Sequence, residues 1–164
     1  MVKGTVPNNP HKGLIDARLC VSHVDFTYPA NVCFACNGCG LCCGDTPQKK
    51  RRILLLASEA KNISAKTHLL IENFSIEATD SDLYVYEMEK PKGRCFFLKD
   101  NRCSIYESRP LICRFYPFEL RFNPDRDMHV FNYTLECPAI NKEGKLLAKQ
   151  DFEELFLLAK ERLT

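Results

Sequence analysis

The sequence predicts a small α+β domain, and three observations carry that reading. Short alternating or β-rich runs, each closed by Gly, Pro, Asn or Asp, recur through most of the chain. One stripe of apolar residues at helical spacing stands near the C-terminus. Ten cysteines lie in the segments between, five of them within the eleven residues from Cys33 to Cys43. At 164 residues and 45% hydrophobic the chain can bury a core without covalent staples, so the cysteines need another explanation.

Taken in order, residues 1–30 read as a polar, turn-rich extension ending in a strand, where Val24, Phe26 and Tyr28 alternate before Pro29. Residues 31–144 read as the cysteine-cluster domain, and 145–164 as a helix packed on it. The loop from Asn31 to Gly44 has Gly38, Gly40 and Gly44 to bend around something small. Arg52 to Leu56 is β-like, and Ser58 is the expected cap of a helix over about Glu59 to Lys66. Leu83 to Met88 is expected as a strand buried on both sides except at Glu87. Cys95–Leu98 and Arg102–Ile105 flank Lys99-Asp100-Asn101 as a tight hairpin. Pro110 is expected in the first turn of a short helix that Pro117 ends. Phe118, Leu120 and Phe122 form an edge-type strand, Asn123-Pro124-Asp125 turns it, and His129 to Thr134 pairs back. The last helix spans roughly Lys145 to Leu163, with Phe152, Leu155, Phe156, Ala159 and Leu163 as its stripe.

Lys plus Arg is 23 and Asp plus Glu is 21, a formal charge of +2, which gives no electrostatic reason to expect nucleic acid or anionic lipid as partner. The longest apolar runs, Ile53–Ala57 and Leu155–Ala159, fall far short of the roughly 20 residues of a bilayer-spanning helix. MVKGTVPNNPHKG contains no apolar leader, so a cytoplasmic location is expected.

The cysteine window points to metal. Two residues separate each of Cys33, Cys36, Cys39 and Cys42, a spacing that turns successive thiolates toward one centre. Cys36, Cys39 and Cys42 are like the three-cysteine half of a ferredoxin loop, whose remote fourth cysteine commonly precedes proline, as Cys137-Pro138 does. Adjacent side chains diverge, so Cys42 and Cys43 are expected to serve different centres. Cys43 would then join Cys95, Cys103 and Cys113. Cys95 and Cys103 project from one face if Leu98 pairs with Arg102, and a slip of one residue would separate them. Other partitions, including one centre plus spectators, stay open. Cys20 is expected to be a packed thiol.

Phe34-x-Cys36-x-x-Cys39-Gly40-x-Cys42-Cys43, Cys95, Cys103-Ser104-Ile105-Tyr106-Glu107-Ser108-Arg109-Pro110-x-x-Cys113-Arg114 and Cys137-Pro138 together resemble the CxxCxxCC family, the YkgJ-type zinc- or iron-chelating cysteine-cluster proteins. The resemblance spans about Phe34 to Gly144. It implies eight metal-site cysteines: Cys36, Cys39, Cys42, Cys43, Cys95, Cys103, Cys113 and Cys137. Cys20 and Cys33 are extras to that pattern, although Cys33 could replace Cys36 in a shifted register.

All-thiolate ligation suits zinc or iron-sulfur. Three cysteines at two-residue intervals with a remote Cys-Pro favour iron-sulfur, as one or two [4Fe-4S] clusters, with zinc as the alternative. Arg109 and Arg114 are expected beside the centre, offsetting its negative charge, although a salt bridge from Arg109 to Glu107 is an equal alternative. The run Lys49-Lys50-Arg51-Arg52 is expected as a solvated loop, and His11, His23, His68 and His129 as surface or core residues. The tyrosines at 84, 86, 106 and 116 read as core. Three functions follow: a redox or accessory protein with a protein partner, a structural zinc module mediating protein interaction, and, ranked last, an enzyme related to longer methylases with a similar cysteine region. The sequence has no evident organic-cofactor segment, phosphate loop or catalytic fingerprint to support the last. Oligomeric state is not legible, though the Phe152/Phe156 face could pack between subunits if the domain leaves it uncovered.

Overall fold

The computed structural model describes residues 26–142 and 144–163. The expectations for Cys20, Val24, His11 and His23 therefore lie outside the described residues. In chain order the strands are β1 (Phe26–Thr27), β2 (Cys33–Phe34), β3 (Leu54–Leu55), β4 (Ser75–Glu77), β5 (Tyr86–Met88), β6 (Leu98–Lys99), β7 (Arg102–Cys103), β8 (Phe118–Asn123), β9 (Met128–Tyr133) and β10 (Lys145–Leu146). The helices are α1 (Ala57–Thr67), α2 (Leu111–Phe115) and α3 (Lys149–Leu163). Short strands in small sheets with three helices make an α+β fold, as the sequence predicts.

The expected hairpin of β8 and β9 forms, with Phe118 opposite Tyr133 and Asn123 opposite Met128. β1 adds to β9 in parallel, so the sheet order is β1-β9-β8. α3 covers it. Phe152, fully buried, meets the rings of Phe118 and Phe131 edge-on with centroids 5.2 and 5.1 Å away, and stacks on Tyr28 at 5.1 Å. The Phe152/Phe156 face is thus buried within the chain rather than left for a second subunit. The helix begins later than its period implies: Lys145 and Leu146 pair with β2 instead. Gly144 makes that pairing possible, since its φ is +103° and a Cβ there would stand 2.4 Å from the Phe34 carbonyl carbon.

β3, β5 and β4 form a second sheet. Its central strand is shorter than the apolar run: Leu83 and Val85 are exposed, and Val85 meets Leu55 through its N–H and Ala78 through its carbonyl just ahead of the paired residues Tyr86–Met88. α1 packs on this sheet through Ile63, which is fully buried. Its cap is Leu56, not Ser58: the Glu59 carboxylate reaches back to accept the Leu56 N–H at 3.0 Å, the acidic half of a capping box. At α2, Pro110 takes the cap position just before the first turn.

Two apolar cores result. One joins Val32, Phe118, Phe131, Ala139, Ile140, Phe152 and Phe156 around the first sheet. The other joins Ile53, Leu55, Ile63, Phe74, Met88, Phe97 and Ile105 around the second. Cys137 belongs to the first, Cys95 to the second, and Cys43, Cys103 and Cys113 pack against the second. Among the described residues no helix is long and apolar enough to cross a membrane.

Candidate metal centre

Cys36, Cys39, Cys42, Cys43, Cys95, Cys103, Cys113 and Cys137 all line one cavity of about 350 Å³ at the seam between the two cores. Cys33 does not. It is held in β2, where its N–H donates to the Asn141 side chain at 3.2 Å and its carbonyl accepts the Asn141 N–H at 2.9 Å. Among the described residues no cysteine is in a disulfide.

Local chemistry explains how the thiols arrive there. Gly40, at φ +71°, starts a single 3-10 turn over Leu41–Cys43, closed by the Cys43 N–H on the Gly40 carbonyl. That turn brings the adjacent thiols together, with Cys42 Sγ and Cys43 Sγ 3.6 Å apart. The divergence of Cys42 and Cys43, expected in turns as well as in extended backbone, is therefore overturned by this 3-10 turn, and with it goes the reason for assigning them to separate centres. The Cys43 carbonyl then accepts the Cys95 N–H at 2.7 Å, fastening the first loop to the hairpin.

The hairpin register also differs from expectation. Leu98 faces Cys103 rather than Arg102, and the turn shrinks to Asp100-Asn101, both with positive φ. In an unbroken strand this slip would send Cys95 and Cys103 to opposite faces. The chain instead turns between them: the Leu98 N–H bonds the Cys95 carbonyl at 2.9 Å, breaking the alternation, and both cysteines line the cavity. Arg94 Nη2 donates to Asn101 Oδ1 at 2.8 Å and secures the turn.

Backbone N–H groups surround several sulfurs. Those of Phe97 and Leu98 serve Cys95, that of Ile105 serves Cys103, and those of Ala139 and Ile140 serve Cys137. In each thiol burial outweighs them and pushes the pKa up. Burial raises Cys113 far above the ordinary thiol value, and the proton shared with Cys43, followed by burial, does the same to Cys42. Metal entering such a set must displace protons.

Arg109 lines the cavity, with its guanidinium carbon 3.7 Å from the Tyr106 ring centroid. Its positive charge favours the thiolates of Cys103 and Cys113. Among the described residues it makes no salt bridge to Glu107. Arg114 also lines the cavity, but its Nε donates to the Arg109 carbonyl at 3.2 Å and its Nη2 to the Glu107 carbonyl at 2.5 Å, so it braces the Arg109 loop.

The basic run is not simply a solvated loop. The Arg51 side chain is only 12% exposed, its Nη2 bonds Glu136 at 2.7 Å, and its guanidinium lies 5.2 Å from the Tyr116 ring centroid. Arg52 is held by Glu87 at 2.7 Å and Asp80 at 3.0 Å. Tyr116, expected as core, lines the cysteine cavity as well as packing on the first core. Its position three residues after Cys113, near the end of a helix, was a usable signal that the two share a side.

The described residues thus form a small α+β scaffold with a cysteine-lined cavity between its two cores. The profile of the CxxCxxCC family, described as "Putative zinc- or iron-chelating domain", matches residues 35–146, and the chain belongs to that family. It is also 28% identical over 99 residues to "Uncharacterized protein MJ0661" of Methanocaldococcus jannaschii, a match covering 57% of this chain. The matched region spans about half (50%) of that relative's length. No solved structure matches.

Proposed function

We propose that the eight cavity cysteines hold iron and sulfide as one or two four-iron clusters, and that the protein acts as a redox or accessory protein. The observation that carries this reading is the size of the space that the eight thiols line. Eight donors would serve two four-thiolate centres of either kind, zinc or iron-sulfur. By the same volume measure a single water needs only about 10–15 Å³, so about 350 Å³ leaves room for a multi-atom centre. Among the described residues no three Cys, His, Asp or Glu side chains are grouped closely enough to hold a single ion. N–H groups on Cys95, Cys103 and Cys137 suit electron-rich cluster thiolates. When bound, the centre would supply one-electron transfer. Arg109 would offset its negative charge, and Arg114 would keep Arg109 in place.

One observation favours zinc as the second reading, in a structural module for protein interaction. Two thiolates on one tetrahedral zinc stand about 3.8 Å apart, close to the 3.6 Å between Cys42 and Cys43. Metal and sulfide analysis of protein purified without air separates the two. Iron and acid-labile sulfide in equal amounts, about four or eight of each per chain, are the expected result. Colourless protein with about one or two zinc ions and no sulfide would overturn the cluster reading in favour of the zinc module.

A further inference from the structure

We propose that the Tyr116 hydroxyl donates a hydrogen bond to a thiolate of the cysteine cavity when the centre is bound, and so sets how readily the centre is reduced. The inference rests on the cluster reading above. Tyr116 lines the cysteine cavity on one side and, on the other, a second cleft carrying the basic run. Its hydroxyl oxygen is buried and has no hydrogen-bond partner among the described residues. A buried orphan hydroxyl is costly, so a partner beyond the neutral polypeptide is called for, and a metal-bound thiolate is a strong acceptor.

The hydroxyl is a donor, and its surroundings hold it in place. A tyrosine phenol keeps its proton at neutral pH, so the hydroxyl is available to donate. Arg51 lies over the ring and is itself anchored by Glu136. Cys137, Cys113 and Cys42 line the same cavity as Tyr116, and any of them bound to metal is an acceptor the orphan hydroxyl lacks in the polypeptide. Hydrogen bonds to a cluster thiolate favour the more negative, reduced state over the oxidised one. Tyr116 is thus a positioning and tuning residue rather than a ligand.

The test compares wild type, Tyr116→Phe and Tyr133→Phe, each purified without air and loaded with iron and sulfide. Tyr133 lines the second cleft but not the cysteine cavity. At equal iron and sulfide content, Y116F should be harder to reduce, with the reduced-to-oxidised ratio at fixed potential falling about tenfold, about 59 mV for one electron. Y133F should titrate with wild type. Equal potentials for Y116F and wild type, or the same shift in Y133F, would overturn the proposal. If all three proteins carry zinc and no sulfide, the cluster reading fails by itself, and the hydroxyl is then judged by zinc retention against a chelator. There Y116F should hold zinc about tenfold more weakly than wild type, and equal retention would again overturn the hydrogen bond.

Discussion

Glu59 does more than its place in a helix start would imply. It is 3% exposed, and its two oxygens serve three elements. Oε2 accepts the Leu56 N–H that opens α1, while Oε1 accepts the Leu111 N–H that opens α2 at 2.6 Å and Arg162 from the end of α3 at 3.0 Å. One carboxylate therefore positions the helix that carries Cys113. Glu59→Gln replaces an acceptor with a donor facing an N–H and removes the charge paired with Arg162. The expected cost is about 2–4 kcal/mol, read as a lower urea midpoint with an unchanged slope. Arg162→Met should cost less, because that guanidinium is 29% exposed.

At the scale of elements, α3 owes its start to a second carboxylate used the same way. Asp151 Oδ2 accepts the Ala148 N–H at 2.8 Å, and Oδ1 pairs with Lys145 of β10, so one residue joins the strand to the helix. Its carboxyl is held below the ordinary value of 3.8, first by the Lys145 hydrogen bond and then by the Ala148 N–H. With a depressed folded-state pKa, the unfolded chain takes up the proton first as pH falls. The stabilisation is therefore whole above about pH 5 and is lost as pH drops through the folded value. Asp151→Asn should lower stability by only about 0.5 kcal/mol at pH 7, given solvent screening. The difference from wild type should vanish in thermal melts near about pH 2, and a gap persisting there would point to lost packing instead.

At the scale of the whole molecule, the matched family segment, 35–146, contributes every cavity cysteine, whereas β1, β2 and α3 lie outside it and supply Phe26, Phe34, Phe152 and Phe156 to the first core. The cysteine-lined seam thus lies between a core finished by those flanking elements and a core built within the family segment. With the proposed centre bound, cysteines from both cores share it, so the seam should depend on metal for cohesion. Stripping metal with a chelator under reducing conditions should lower Tm by about 10 °C or more, and restoring it should recover the loss. Complete removal with Tm unchanged would mean that apolar packing alone closes the seam.

The sequence by itself determined the α+β class, the β8–β9 hairpin, the C-terminal helix and the eight-cysteine set that marks the family. Each is written in local spacing: period 2, period 3.6, turn residues, or cysteines two residues apart. Only the tertiary structure decided that Cys33 stands apart from the cavity and that Cys42 and Cys43 face the same space. It also decided that a one-residue change of hairpin register still leaves both Cys95 and Cys103 lining the cavity, that Tyr116 lines it with Arg51 over its ring, and that Glu59 is buried where three helices meet. The physical reason is range. Spacing constrains the backbone over a few residues, whereas the direction of a thiol depends on one 3-10 turn at Gly40 and on the bond between Cys43 and Cys95, formed across 52 residues as two separate cores bury their apolar surfaces.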